Sequence, residues 1–466
     1  MNISPGAGLH RWLSYIEQQH PKSIDMGLER VRDVAVRMGL GKPATQVITV
    51  GGTNGKGSTV AFIEAIARAA GWKVGTYTSP HLLRYNERVR IDGAEADDAA
   101  LVEAFEAVEA ARSSPSPAGR GVGERGERSQ RVPDRDATPS PPDPPLEGEG
   151  SGIPLTYFEF GTLAALWLFE HANLDLAVLE VGLGGRLDAV NLVDADVTVI
   201  TTVDIDHTDW LGEDREAIGF EKAGIARPWK PLVLGEVDSP SSVLRHAYAI
   251  GANALRLGSD FFHESIDAQR WRWREVGTEL ELPQPALSAP AQRANAATAI
   301  AALRALPEGE IPVAAFARGI AHASLPGRLQ RLVHDGVDVV VDVGHNPQAA
   351  RELAAWLESQ STGGTTRAVF AALADKDVVG VVNAFAAQSL QWHLAGLEAE
   401  AGARAQSANQ LAQRLTETAA ADGMSHATVR EALTAALSAS RPGDRVLVFG
   451  SFHTVAEALV ALHSGP

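Results

Sequence analysis

Residues 47–59, VITVGGTNGKGST, constrain this chain more than any other stretch. The apolar, β-branched run at 46–50 has the pattern of a buried strand. Gly51, Gly52, Gly55 and Gly57 then crowd a tight turn around Lys56. Ser58 and Thr59 open a run that places Val60, Phe62, Ile63, Ile66 and Ala67 on one helical face, stopped at Gly71. A strand, a glycine-rich turn with one lysine, and hydroxyls at a helix start make a phosphate cradle. Glycines let backbone N–H groups approach phosphate oxygens, the helix N-terminus favours the anion, and a hydroxyl can reach Mg2+. The spacing departs from the usual form, because an extra glycine separates Lys56 from Ser58. A plain strand-to-helix turn is the weaker alternative, since context and residues agree. The stretch predicts a nucleoside triphosphate site.

Length and charge narrow the setting. A chain of 466 residues has room for two or three domains. Its net charge of -17 leaves no basic face for a nucleic-acid backbone. Without cysteine there are no disulfides, thiol nucleophiles or Cys-based zinc sites, which fits a reducing compartment. No charged, apolar leader opens the chain and no apolar run is long enough to span a bilayer, so a soluble, cytoplasmic protein is expected.

Two amphipathic helices are expected first, around Leu9, Trp12, Leu13 and Ile16, and around Leu28, Val31, Val34, Ala35 and Met38. Asp25 between them reads most simply as the N-cap of the second. Beyond the glycine loop, strands are expected at 72–77, 88–91, 174–181, 197–202 and 231–234, with helices at 156–171 and 215–226. This alternation predicts a parallel α/β sheet, whose ligands bind at the carboxyl ends of the strands. Residues 113–152, rich in Pro, Gly, Ser and mixed charge, cannot bury enough surface to offset their ordering entropy and are expected to form a disordered surface insertion. Helices at 291–306 and 314–322 lead to SLPGRLQ. A smaller α/β unit then starts, giving expected domains 1–325 and 326–466.

Polar groups at the strand ends carry the chemistry. Glu180 closes an apolar run where a Mg2+-directed carboxylate is often kept, although a salt-bridged carboxylate would look the same. Asp204, Asp206, His207 and Asp209 suit Mg2+ as a donor cluster and equally suit a solvated turn. Lys222, within a helix, reads from the residues alone as a surface lysine. Arg328, after Pro326-Gly327, and Asp342, before VGHNP, have plausible structural roles as well.

GGTNGKGS, TSPHL, TYFEFGT, LEVGLGGRLDAVN, DHTDWLG, EKAGI, PAQRANAA, LPGR, DVGHNP, DKD and VFGSFHTVA occur in that order. In this the chain resembles the bacterial bifunctional dihydrofolate synthase/folylpolyglutamate synthases of the Mur ligase superfamily, over nearly its whole length except the insertion. The resemblance implies a P-loop N-terminal domain with a parallel sheet and a smaller Rossmann-like C-terminal domain. It implies ATP held by Thr53, Asn54, Gly55, Lys56, Gly57 and Ser58, with Asn295, Arg328 and Asp342. One Mg2+ would sit on Ser79 and Glu180 and a second on His207, with Lys222 carbamylated as a further ligand. Catalysis is thereby assigned to Lys56, Glu180, His207 and Lys222. The pterin would lie on Asp25, Met26 and Gly27, on Thr156, Tyr157, Phe158 and Glu159, and on Leu187, Asp188 and Ala189. His345 matches a motif position of open role.

The implied reaction is ATP-dependent ligation of L-glutamate to dihydropteroate and to reduced folates through an acyl phosphate, by a monomer that binds neither nucleic acid nor membrane. A monofunctional folylpolyglutamate synthase or another Mur-type ligase is the nearest alternative. A cell-wall ligase normally carries a UDP-sugar domain before its P-loop, and here about fifty residues precede Gly51. A kinase or ATPase leaves LPGR and DVGHNP unused. A non-catalytic nucleotide-binding regulator leaves Glu180, His207 and Lys222 together without a purpose.

Overall fold

The computed structural model describes residues 6–22, 24–114, 152–360, 363–397 and 402–463. Nearly all of the expected insertion at 113–152 lies outside the described residues. Two sheets that share no strand organise the chain.

The first sheet is eight-stranded, in the order β4-β3-β2-β5-β1-β6-β7-β8. Its strands are β1 (Ala44–Gly51), β2 (Val74–Tyr77), β3 (Val89–Ile91), β4 (Ala94–Glu95), β5 (Leu174–Glu180), β6 (Val197–Ile200), β7 (Pro231–Leu234) and β8 (Asn253–Arg256). β2, β5, β1, β6, β7 and β8 run parallel, and only β3 runs against them, returning through Asp92-Gly93 into the short β4. Along β5 the side chains alternate. Leu176 and Val178 face the helices Lys56–Ala69, Gln292–Arg304 and Val313–His322, whereas Ala177 and Leu179 face the helices Leu9–Glu17, Asp98–Ser113 and Tyr157–Ala172. A strand buried on both faces reads as a continuous apolar run, which is why this sheet was legible in the sequence.

One addition was not expected. β9 (Phe261–Ser265), β10 (Arg270–Glu275) and β11 (Thr278–Pro283) form a separate antiparallel sheet. Trp271 and Trp273 point into the core while Arg270 and Arg272 pair with glutamates outside. The alternation in RWRWRE and TELELP was the available signal.

The second sheet is six-stranded, in the order β12-β13-β17-β14-β15-β16: β12 (Gln330–His334), β13 (Val337–Asp342), β14 (Thr366–Phe370), β15 (Leu390–Ala395), β16 (Met424–His426) and β17 (Arg445–Phe449). Only β12 is antiparallel to its neighbour. Val340, Leu447 and Phe449 pack on one side, and Val339, Val446 and Val448 on the other. Among the described residues no helix is long and apolar enough to cross a membrane.

The two sheets meet at the glycine loop. Asn54 and Asn346 exchange amide hydrogen bonds of 3.1 and 3.0 Å, and Asn54 also donates to Gln348. Asn346 is at the same time the N-cap of the helix Pro347–Ser359. Arg351 of that helix reaches Asp204 at 3.1 Å, and Lys376 reaches Asp206 at 2.7 Å. Most of these contacts are made by residues at or just beyond strand ends, so the cleft between the sheets is also where the loops converge.

Candidate active site

Register explains why distant residues converge. In the parallel ladder Val50 lies beside Glu180, Gly51 beside Ile200, and Tyr77 beside Leu179. The residues that follow these strand ends, the glycine loop, Ser79 and 201–207, therefore project from one edge. A cavity of about 110 Å³ opens there, lined by Thr53, Asn54, Gly55, Lys56, Gly57, Ser79, Glu180, Asp206, His207, Lys222, Arg328 and His345, among others. All four expected catalytic side chains are in this set.

Gly55 is left-handed at φ +86° and caps the helix that begins at Lys56. A Cβ there would stand 2.6 Å from Asn295 Oδ1. Replacing Gly55 by Ala therefore combines a backbone strain of about 1–2 kcal/mol with a clash. ADP affinity in calorimetric titration is expected to fall about tenfold or more, with the melting transition lowered but still cooperative.

Lys56 Nζ is held by the carbonyls of Gly52 and Thr53, at 3.1 and 3.2 Å. Burial lowers its pKa and raises that of Glu180, each partly opposed by the other's charge. Glu180 Oε2 accepts from the backbone N–H of Ser79 at 3.1 Å. A Cβ on Gly57 would lie 3.9 Å from both Glu180 oxygens, so the residue after Lys56 leaves room beside this carboxylate. Ser58 does not face the cavity. Its hydroxyl is buried and accepts from Gln292 at 3.2 Å, a displacement that follows from the extra glycine. Asn295 lies behind the loop against Gly55 and Gln292. Asp342 supports the connection between the two sheets at 326–329, the hinge, instead of lining the cavity, accepting from the backbone of Leu329 and Gly344.

Lys222 departs from the surface role that its residue type suggests. It is buried on the helix Arg215–Ala223, on one face with Ile218 and Gly219. Burial first, and the charge of Lys56 second, bring its pKa down to about 7. Much of it is thus an uncharged amine at neutral pH. His207 is left-handed at φ +52°, and burial takes its imidazole down to about 4, so it presents a neutral ring. No group of three His, Cys, Asp or Glu side chains forms a ready metal cluster among the described residues. The donor set here is mixed. The Ser79 hydroxyl and Glu180 suit a hard cation, a neutral His207 can join one, and a bare Lys222 ammonium cannot.

Asp206 is more central than its turn-like surroundings suggested. Besides Lys376 it faces His345 Nε2 at 3.5 Å, Asn346 Nδ2 at 3.3 Å and His207 Nε2 at 3.9 Å. Burial would raise its pKa, but His345, His207 and Lys376 outweigh that and hold the carboxyl well below the usual range. Asp209 is exposed and takes no part in the cavity.

Of the expected pterin residues, Met26, Phe158 and Asp188 touch residues that line the cavity, and the others do not. Phe158 lies against Gly182, where a Cβ would approach its ring to 2.8 Å, and Met26 and Leu211 lie against Gly184. Gly182 and Gly184 both line the cavity. Thr156 and Glu159 form a reciprocal cap on the helix Tyr157–Ala172, and Asp188 caps the short turn Ala189–Leu192. The N-cap reading of Asp25 is corrected: Leu28 occupies that position, and Asp25 is paired with Arg30, which also binds Glu159 at 2.9 Å. Tyr157 is partly buried beside Tyr85 and Ala189 lies in the core, while Gly27 and Leu187 are on neighbouring partly exposed loops.

Comparison with known proteins follows the same lines. Residues 327–452 match the family model of the Mur ligase glutamate ligase domain. The chain is 44% identical over 453 residues to the dihydrofolate synthase/folylpolyglutamate synthase of Escherichia coli (strain K12), covering 97% of this chain and 94% of that protein. It superposes with a TM-score of 0.85 on E. coli FolC in complex with DHPP and ADP, at 42% identity and 99% coverage of both chains. A bifunctional folylpolyglutamate synthase/dihydrofolate synthase with Mn, AMPPNP and L-glutamate bound gives a TM-score of 0.83, also at 42% identity, over 99% of this chain and 100% of the other.

Proposed function

The chain belongs to the dihydrofolate synthase/folylpolyglutamate synthase family, and from that premise we propose how its residues carry out the reaction. It is an ATP-dependent ligase that adds L-glutamate to dihydropteroate and to reduced folates. The observation that carries the mechanism is the convergence of Lys56, Glu180, His207 and Lys222 on one cavity beneath residues of the second sheet.

A substrate carboxylate oxygen attacks the γ-phosphorus of ATP, the bond to the β-phosphate oxygen breaks, and ADP leaves. The amine of L-glutamate then attacks the acyl carbon, phosphate departs, and the amine loses its extra proton. The glycine loop and Lys56 bind the phosphates and neutralise the charge that develops on them. Magnesium, when bound, screens phosphate charge and orients the acid, with Ser79 and Glu180 as holders of one ion and His207 and carbamylated Lys222 of a second. An amine whose pKa falls to about 7 exists in part as the free base near neutral pH, the form that adds CO2, which supports the carbamate. Arg328 faces the loop from the hinge and would reach the nucleotide, with Asp342 and Asn295 fixing the backbone around it.

The pterin acid would enter past Met26, Phe158 and Asp188, which border the same cavity wall. Asp206, Asn54 and their partners hold the second sheet over the cavity, and excluding water protects the acyl phosphate from hydrolysis. Action as a monomer in the cytoplasm belongs to the same proposal, and the absence of cysteine fits that reducing compartment. Oxygen transfer tests this order of steps. With dihydropteroate labelled with ¹⁸O in its carboxylate, one labelled oxygen is expected in the phosphate released per amide formed. Unlabelled phosphate would rule out the acyl-phosphate route.

A further inference from the structure

Arg88 is a buried cation without a matching anion. It is 9% exposed, yet no carboxylate among the described residues pairs with it. Its Nε donates to His81 Nδ1 at 2.8 Å, and its guanidinium lies 5.5 Å from the ring centres of both Tyr85 and Tyr157. None of these neighbours supplies negative charge. A histidine ring is neutral or cationic and never anionic at physiological pH, and burial raises the pKa of both Tyr85 and Tyr157, keeping them protonated. Aromatic faces recover only part of the hydration that a guanidinium loses on burial.

Its position gives this excess charge a direction. The Arg88 carbonyl accepts from Thr78 N–H at 2.9 Å, so Arg88 is fixed beside Ser79, which lines the cavity. Tyr157, over whose ring the guanidinium lies, belongs to the segment expected to meet the pterin acid. The terminal N–H groups of the guanidinium have no protein partner among the described residues and are not closed off from solvent. A planar fork of N–H donors is matched to a carboxylate, which it can bind through two parallel hydrogen bonds.

We propose that Arg88, whose guanidinium lies over the rings of Tyr85 and Tyr157, is a receptor for a substrate carboxylate beside the ligase cavity. The inference rests on the ligase reading. Two sources share this chemistry: the incoming L-glutamate and the glutamate tail of a reduced folate.

Steady-state kinetics of Arg88→Gln and Arg88→Lys, on protein shown to be folded by its melting transition, separate them. In Arg88→Gln a rise of about tenfold or more in KM for one carboxylate substrate is expected, with KM for ATP within twofold of the parent and partial recovery in Arg88→Lys. If KM for L-glutamate rises with both dihydropteroate and reduced folate as acceptor, the site holds the incoming amino acid. If KM rises only for the folate monoglutamate while dihydropteroate is spared, it holds the tail. Unchanged KM for all three acids in a folded Arg88→Gln variant overturns the proposal.

Should that variant not fold, phenylglyoxal labelling of Arg88 in the parent chain, followed by mass spectrometry, decides. L-Glutamate or folate monoglutamate is expected to slow the labelling several-fold, and no protection by either overturns the proposal. A parent chain that forms no ADP with these substrates would instead refute the ligase reading, so the two failures are distinguishable.

Discussion

Replacing Lys56 by Ala is expected to abolish amide formation, lowering kcat by at least about a thousandfold while the chain still folds. Lys56 is the ammonium at the start of the loop helix, and its Nζ already rests on carbonyls of the glycine turn. Under the proposed mechanism, removing it would take the positive charge from the place where the γ-phosphoryl group becomes most negative. It also strips Glu180 of the cation that opposes its desolvation, which is expected to push that carboxyl's pKa further up. The nearby Arg328 is engaged over Phe452 and is not expected to take its place. Product formation at the parental rate in a folded Lys56→Ala variant would remove the loop from the mechanism.

Replacing Lys222 by Ala should be nearly as severe, with a loss of about a hundredfold or more in kcat. The reason differs. A buried lysine of lowered pKa next to His207 and Lys56 is repelled as a cation and useful only if it becomes an anion. As a carbamate it contributes two oxygens, and its truncation leaves a gap of small-carboxylate size. Acetate or propionate at high concentration should therefore restore part of the activity of Lys222→Ala and none of that of Lys56→Ala. Restoration absent in the first variant, with the fold intact, would count against the carbamate while leaving the nucleotide site in place.

The parts of this account that were legible in the sequence are those written in short-range patterns. The glycine loop declares its chemistry within thirteen residues, and the strands of the first sheet are buried on both faces, so their apolar runs stand out. Lys222 was legible in principle. It follows Ile218 by one helical turn and so belongs to the apolar stripe, but residue type argued for the surface and prevailed. Asp25 failed for another reason. A carboxylate a few residues before a helix fits an N-cap equally well, and only the fold brings Arg30 and Glu159 against it.

Contacts between distant stretches were the least accessible. Asp206 and Lys376 are 170 positions apart, and nothing local to either announces the pair. The same holds for Arg88, whose significance lies in the anion that its surroundings lack. Ser58 shows the limit of a motif: the hydroxyl is present, but one extra glycine turns it towards Gln292 and away from the cavity.

The most direct test of the whole reading is the stoichiometry of purified chain supplied with ATP, Mg2+ and L-glutamate, with and without each acid acceptor. One ADP, one phosphate and one new glutamyl amide per turnover are expected with dihydropteroate and again with a reduced folate, and little ADP with neither. ADP formed without any acceptor, or amide formed only on a UDP-muramoyl acid, would contradict it.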